Sequence, residues 1–84
     1  MADPALITAA TAAIAAISPA AARRADACSS LKRDLDLRSD EIVLLAMNLE
    51  DEHAITIGDT ELWRADTVED LARLIEAKTK GNAA

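Results

Sequence analysis

Aromatic residues are almost missing from this chain: it has no Phe or Tyr, and Trp63 stands alone. Glycine and proline are scarce too, with two of each in 84 residues. Sheets draw on aromatic and β-branched residues, so a chain that is half apolar yet rich in alanine favours helices in close contact. An all-α fold is expected. Two glycines leave no glycine-rich phosphate loop. One histidine, His53, and one cysteine, Cys28, allow no Ser-His-Asp or Cys-His set, no intramolecular disulfide and no cysteine zinc site. The expectation is a protein that is neither an enzyme nor a metal binder. A lone thiol suits a reducing compartment, hence the cytoplasm.

Positive charge is also in deficit. Nine Lys and Arg against fifteen Asp and Glu give a formal charge of −6. Nucleic acid calls for clustered cations, so a basic protein surface is the expected complement. A membrane-spanning run is not expected either. The apolar stretch "ALITAATAAIAAISPAAA" is mostly Ala and Thr and follows Asp3 with no Lys or Arg before it, which suits neither a bilayer span nor a secretory signal. An exported or membrane-associated protein led by that stretch is a rival reading, and an intact N-terminus in the native protein would count against it.

What is present is helical periodicity. A chain this short buries only about 60% of its unfolded surface and supports one core, so residues 1–84 form one domain. A first helix is expected over about 3–17: Asp3 caps, Pro4 suits the first turn, and Leu6, Ala10, Ala13, Ile14 and Ile17 share a face before Ser18-Pro19 stops it. A long connection, about 18–38, follows, with a helical turn near Ala20–Arg24 and Leu31 and Leu35 as anchors onto the core. The strongest helix, about 39–53, buries Ile42, Leu45, Ala46 and Leu49, with Val43, Leu44 and Met47 widening that face. Its first turn carries Asp40 and Glu41, which its dipole favours; its last carries Glu50, Asp51 and Glu52, which the dipole disfavours. Helix stability did not choose that distribution, so solvation or a partner did.

Ile55 and Ile57 lead through Gly58 to a short helix, about 59–65, that tucks in Leu62, with the ring of Trp63 as a second candidate. The last helix, about 67–79, is capped by Asp66 or Thr67, with Glu69 near the capping-box position and Val68, Leu71, Ala72 and Ile75 buried. Lys78 and Lys80 suit its C-terminal dipole, and Gly81 ends it. The chain thus reads as three main helices and a short one, with a long loop after the first.

From Ser30 to Ile75 the order and spacing resemble the acyl carrier protein family, small four-helix bundles that carry acyl chains on phosphopantetheine. The family's attachment sequence runs hydrophobic-x-x-Asp-Leu-Gly-x-Asp-Ser-Leu. Here Leu31-Lys32-Arg33-Asp34-Leu35-Asp36-Leu37-Arg38-Ser39-Asp40 occupies the same frame. Downstream, "LLAMNLEDEHAITI" resembles the family's second helix and "DTVEDLARLI" its last, without a gap. Three positions depart: Asp36 stands at a turn glycine, Arg38 at the Asp before the serine, and Asp40 at the Leu after it.

The resemblance implies that Ser39 carries a covalent 4'-phosphopantetheine arm holding an acyl or aminoacyl group as a thioester. It implies as partners a phosphopantetheinyl transferase and acyl- or aminoacyl-transferring enzymes with basic docking patches, fatty acid biosynthesis being one such setting. It places Glu41, Met47, Glu50 and Asp51 where those enzymes dock, and it implies a monomer. Short acyl chains would lie near Val43, Ala46, Ile57, Leu62, Val68 and Leu71. The letters around Ser39 also fit an ordinary helix N-cap. Likewise Met47 fits the core, and the acidic residues fit a solvated face. His53 reads as a helix-end residue. The alternative to a carrier is an unmodified module of the same fold that docks through the acidic helix.

Overall fold

Local signals start and stop most elements of the computed structural model, which describes residues 3–83, with side chains up to Thr79. Asp3 Oδ1 accepts the Ala5 N–H at 2.9 Å and opens α1 (Pro4–Ile17). Ser18 serves two helices: its N–H donates to the Ile14 carbonyl at 2.7 Å, closing α1, and its Oγ accepts the Ala21 N–H at 3.2 Å, opening α2 (Pro19–Arg24). The helical turn expected in the long connection is therefore a capped helix. Next come α3 (Ser39–His53), α4 (Asp59–Arg64) and α5 (Val68–Ala83). The architecture is all-α, with five helices among the described residues where the sequence suggests four and a turn.

Thr67, rather than Asp66, caps α5. Its Oγ1 accepts the Asp70 N–H at 3.1 Å, and Asp70 Oδ2 accepts the N–H groups of Asp66 and Thr67 at 2.9 and 3.1 Å. Asp70 thus fills the capping-box position expected of Glu69, which instead pairs with Arg73 at 3.2 Å one turn on. Gly81 does not end α5. Among the described residues no glycine has a positive φ, and one helical glycine costs only about 1 kcal/mol, too little to stop a long helix. The Lys80 side chain and Ala84 lie outside the described residues.

The core forms where α1 packs against α2, α3 and α5. Ala10, Ala13 and Ile14 of α1 meet Ile42, Leu45 and Leu49 of α3 and Val68, Leu71 and Ile75 of α5 in one buried cluster. Alanine on the α1 face lets the helices approach closely. Leu31 and Leu35 are both buried, as anchors, and Leu37 joins them. The connection is also tied by polar bonds to the start of α5. Leu31 N–H donates to the Asp66 carbonyl at 2.8 Å, Val68 N–H to Ser29 at 3.2 Å, and Glu69 N–H to Ala27 at 3.0 Å. Ser30 is buried, and its hydroxyl donates to Asp66 Oδ1 at 2.9 Å. The long loop is held at both of its faces. Among the described residues no helix is long and apolar enough to cross a membrane.

Candidate functional site

The segment before Ser39 is shaped by alternating anchors and turns. Leu35 and Leu37 point inward, and Asp36 between them takes φ 56°, in the left-handed region. That is the conformation a glycine adopts without strain, and Asp is one of the few other residues that tolerates it. Position 36 is also where the carrier pattern has its turn glycine. Leu37 N–H then donates to the Leu31 carbonyl at 2.9 Å, and Arg24 reaches the Leu35 carbonyl at 3.3 Å. The chain is delivered to α3 from a fixed direction.

Arg38, not Ser39, is the N-cap. Its backbone is extended, at φ −84° and ψ 164°, and its carbonyl accepts the Ile42 N–H at 2.9 Å. The capping reading of Ser39 therefore fails. An Arg side chain has no acceptor, so the cap is supplied from the other direction: Glu41 Oε1 accepts the Arg38 N–H at 2.9 Å. Ser39 is the first helical residue, exposed, and its hydroxyl makes no hydrogen bond to any described residue. The Arg38 guanidinium is held against the same turn, with Nε 3.8 Å from Asp40 Oδ1 and 3.6 Å from Glu41 Oε1. The guanidinium and Asp40 are well solvated while Glu41 is three-quarters covered, and at these distances both pairs are weak.

The remaining residues with an expected role lie along α3. Met47 is 56% exposed, which removes it from the core; Leu44 at 51% and Val43 at 40% accompany it rather than widening the buried face. With α1 and α5 packed on one side of α3, none of the described helices covers the other. Glu41 has the capping duty just described. Glu50 also has an internal duty, because its Oε2 accepts the Ile57 N–H at 2.8 Å. Asp51 is exposed and lines an open hollow with Met47, Asn48 and Glu50. Met47, Glu50 and Asp51 are thus brought together, while Glu41 is about 14 Å from Glu50 and about 9 Å from Met47 along the axis at 1.5 Å per residue. Val43, Leu44 and Met47 form an apolar strip that separates Glu41 from Glu50 and Asp51.

Past α3, Ala54 turns the chain at φ 53°, and Ile55 N–H closes back on the Glu50 carbonyl at 3.1 Å. His53 ends the helix, with Nε2 buried and without a hydrogen-bond partner among the described residues. Of the six residues expected around an acyl chain, Ala46, Ile57, Leu62, Val68 and Leu71 are buried, and Val43 is at the surface. Trp63 does not tuck in: it is 46% exposed, with the Lys32 ammonium 5.1 Å from its ring centre. A second open hollow, between α4 and α5, is lined by Glu61, Arg64, Arg73 and Leu74 and does not reach these buried residues. Among the described residues no group of three or more His, Cys, Asp or Glu side chains is placed to hold a metal.

Two features are faint in the sequence. Arg38 stands out there as an odd neighbour of Ser39 but not as the cap residue, and Leu37 is a third anchor beside Leu31 and Leu35. Its signal was the alternation Leu31, Leu35, Leu37 with charged residues between. Compared with known proteins, the chain matches no family model and no curated protein significantly.

Proposed function

We propose that this protein is a cytoplasmic, monomeric carrier that holds an acyl or aminoacyl group as a thioester on a phosphopantetheine arm attached to Ser39. The observation that carries this reading is the state of the serine: exposed on the first turn of α3, with a hydroxyl that neither caps the helix nor bonds elsewhere among the described residues. A hydroxyl left free at a rigid helix start is accessible to an enzyme. The left-handed Asp36 supports the same frame, since it keeps the backbone turn that the family builds with glycine.

In the attachment step a transferase removes the Ser39 proton and Oγ attacks the phosphopantetheine phosphorus of coenzyme A. A P–O bond forms, the anhydride P–O bond breaks, and adenosine 3',5'-bisphosphate leaves. The arm then supplies the thiol, while the protein supplies placement and recognition. Partner enzymes dock on α3, with Val43, Leu44 and Met47 as the apolar contact and Asp51 and the second oxygen of Glu50 as the charged one. The cargo is set by those partners.

A second reading is favoured by one observation, the clasp of Arg38 by Asp40 and Glu41. It places a cation where the family's transferase meets a carboxylate, as suits an unmodified module that docks through α3. Incubation with coenzyme A and a broad phosphopantetheinyl transferase, followed by intact mass, separates the two. The carrier reading predicts one phosphopantetheine adduct on the native chain and none on Ser39→Ala. An adduct that forms only after Arg38→Asp with Asp40→Leu favours the unmodified module.

A further inference from the structure

We infer that Arg38 is a positioning residue for the phosphate of an ester on Ser39, exchanging its carboxylate partners for that phosphate once the ester is made. The inference rests on the carrier reading for the presence of the ester, and on the chain's own side chains for the rest.

Arg38 and Ser39 are consecutive, and the guanidinium is held on the serine's own turn by Asp40 and Glu41, at 3.8 and 3.6 Å. These distances are long for charge-assisted hydrogen bonds, which run at about 2.7–2.9 Å. The Arg38 side chain is 78% exposed, that of Asp40 73% and that of Glu41 25%, so water already screens the guanidinium on its outer side. Releasing it leaves no group unpaired. Glu41 Oε1 keeps the Arg38 backbone N–H at 2.9 Å, and Asp40 stays hydrated. A phosphate on the adjacent Oγ offers geometry that the two single contacts lack, because guanidinium pairs with phosphate through two parallel N–H bonds.

Asp40 and Glu41 would otherwise repel that phosphate. A cation between them and the ester offsets the repulsion and restricts the base of the arm to the Arg38 side of α3. The arm would then leave the protein in a narrower range of directions, which bears on how partner enzymes meet it.

The chain provides its own route to a test. Joining residues 1–27 as a thioester to a synthetic segment beginning at Cys28 regenerates the native sequence and installs the ester at Ser39 without any transferase. Two forms are made, one with phosphoserine and one with serine phosphopantetheine. In the phosphoserine form the second phosphate ionisation, near pH 6 when unperturbed, is followed by phosphorus NMR. The expected midpoint in the native sequence is lower than in Arg38→Gln by about 0.7 pH unit, the effect of an exposed charge about 4 Å away in a water-like medium. Arg38→Lys restores part of the shift. In the phosphopantetheine form, the Arg38 Nε–H resonance moves on esterification. Equal midpoints in the native and Arg38→Gln proteins, or an unmoved Nε–H, would overturn the inference. Failure of the carrier reading is distinguishable, since it appears as no adduct on the native chain with coenzyme A and leaves the ligated proteins unaffected.

Discussion

Among the described residues two without glycine's freedom carry positive φ, and each marks a turn the fold depends on. Asp36, at 56°, aims the chain into α3, and Ala54, at 53°, closes it. Ala54 follows the last residue of α3, where the Ile55 N–H reaches back to Glu50 and a left-handed residue is required. Alanine pays steric strain there that glycine avoids. Ala54→Gly is therefore expected to stabilise the fold by about 0.5–1 kcal/mol in urea unfolding. Asp36→Gly should be neutral or stabilising, while Asp36→Val should cost about 1–2 kcal/mol. Equal stabilities for the Gly and Val variants would show that the turn at position 36 is not left-handed in solution.

At the scale of elements, the long connection is held chiefly by the start of α5. Ser30 is buried, and its Oγ donates to the half-exposed Asp66 carboxylate and accepts the Arg33 N–H at 3.2 Å, so Ser30→Ala removes two hydrogen bonds that tie the connection to α5. The expected loss is about 1–2 kcal/mol, read by chemical unfolding. Asp70 ties the same region. Burial pushes its carboxyl up, but the N–H groups of Asp66 and Thr67, the Thr67 side chain and the Arg73 charge together outweigh it and hold the group below the usual Asp range. Its stabilising contribution is therefore complete above about pH 4 and is lost as pH falls through the lower folded value. Asp70→Asn should be less stable than the native chain at pH 7, with a gap that narrows below about pH 4. A constant gap would contradict this account of the α5 cap.

Much of this architecture is legible in the sequence because short-range chemistry writes it. Asp3-Pro4, Ser18-Pro19 and the 3.6-residue spacing of Ile42, Leu45 and Leu49 each act within one or two turns. The misreadings have longer reach. Whether Val43, Leu44 and Met47 are covered depends on which helices pack on α3, and local periodicity carries no record of that. Glu50 looked like a free surface carboxylate because its partner, the Ile57 N–H, is brought to it only by the turn at Ala54. Of the candidate site, the position of Ser39 at the start of the helix was readable; that Arg38 takes the cap and frees its hydroxyl was not, since two adjacent polar residues compete for one role.

For the molecule as a whole, the Cα radius of gyration of 11.5 Å matches the roughly 12 Å expected of a compact chain this long, so the connection is packed on the core. The exposed side of α3 then presents Arg38 and Ser39 at one end, an apolar strip, and Asp51 and Glu52 at the other. With a net charge of −6, encounter with a basic enzyme surface should be steered electrostatically. Initial rates of Ser39 modification should fall as salt rises from about 0.05 to 0.5 M, because the screening length shrinks several-fold. A salt-independent rate would remove the acidic end of α3 from the docking surface. Leu44→Gln or Met47→Gln should slow the same reaction with little loss of stability, as both side chains are half exposed, whereas Leu45→Ala should cost about 2–5 kcal/mol.

The most direct measurement is the intact mass of the protein isolated from its own host, with Ser39→Ala expressed alongside. The carrier account predicts a phosphopantetheine adduct, with or without a thioester-linked cargo, that is lost in Ser39→Ala. A native protein with the unmodified mass throughout would contradict it.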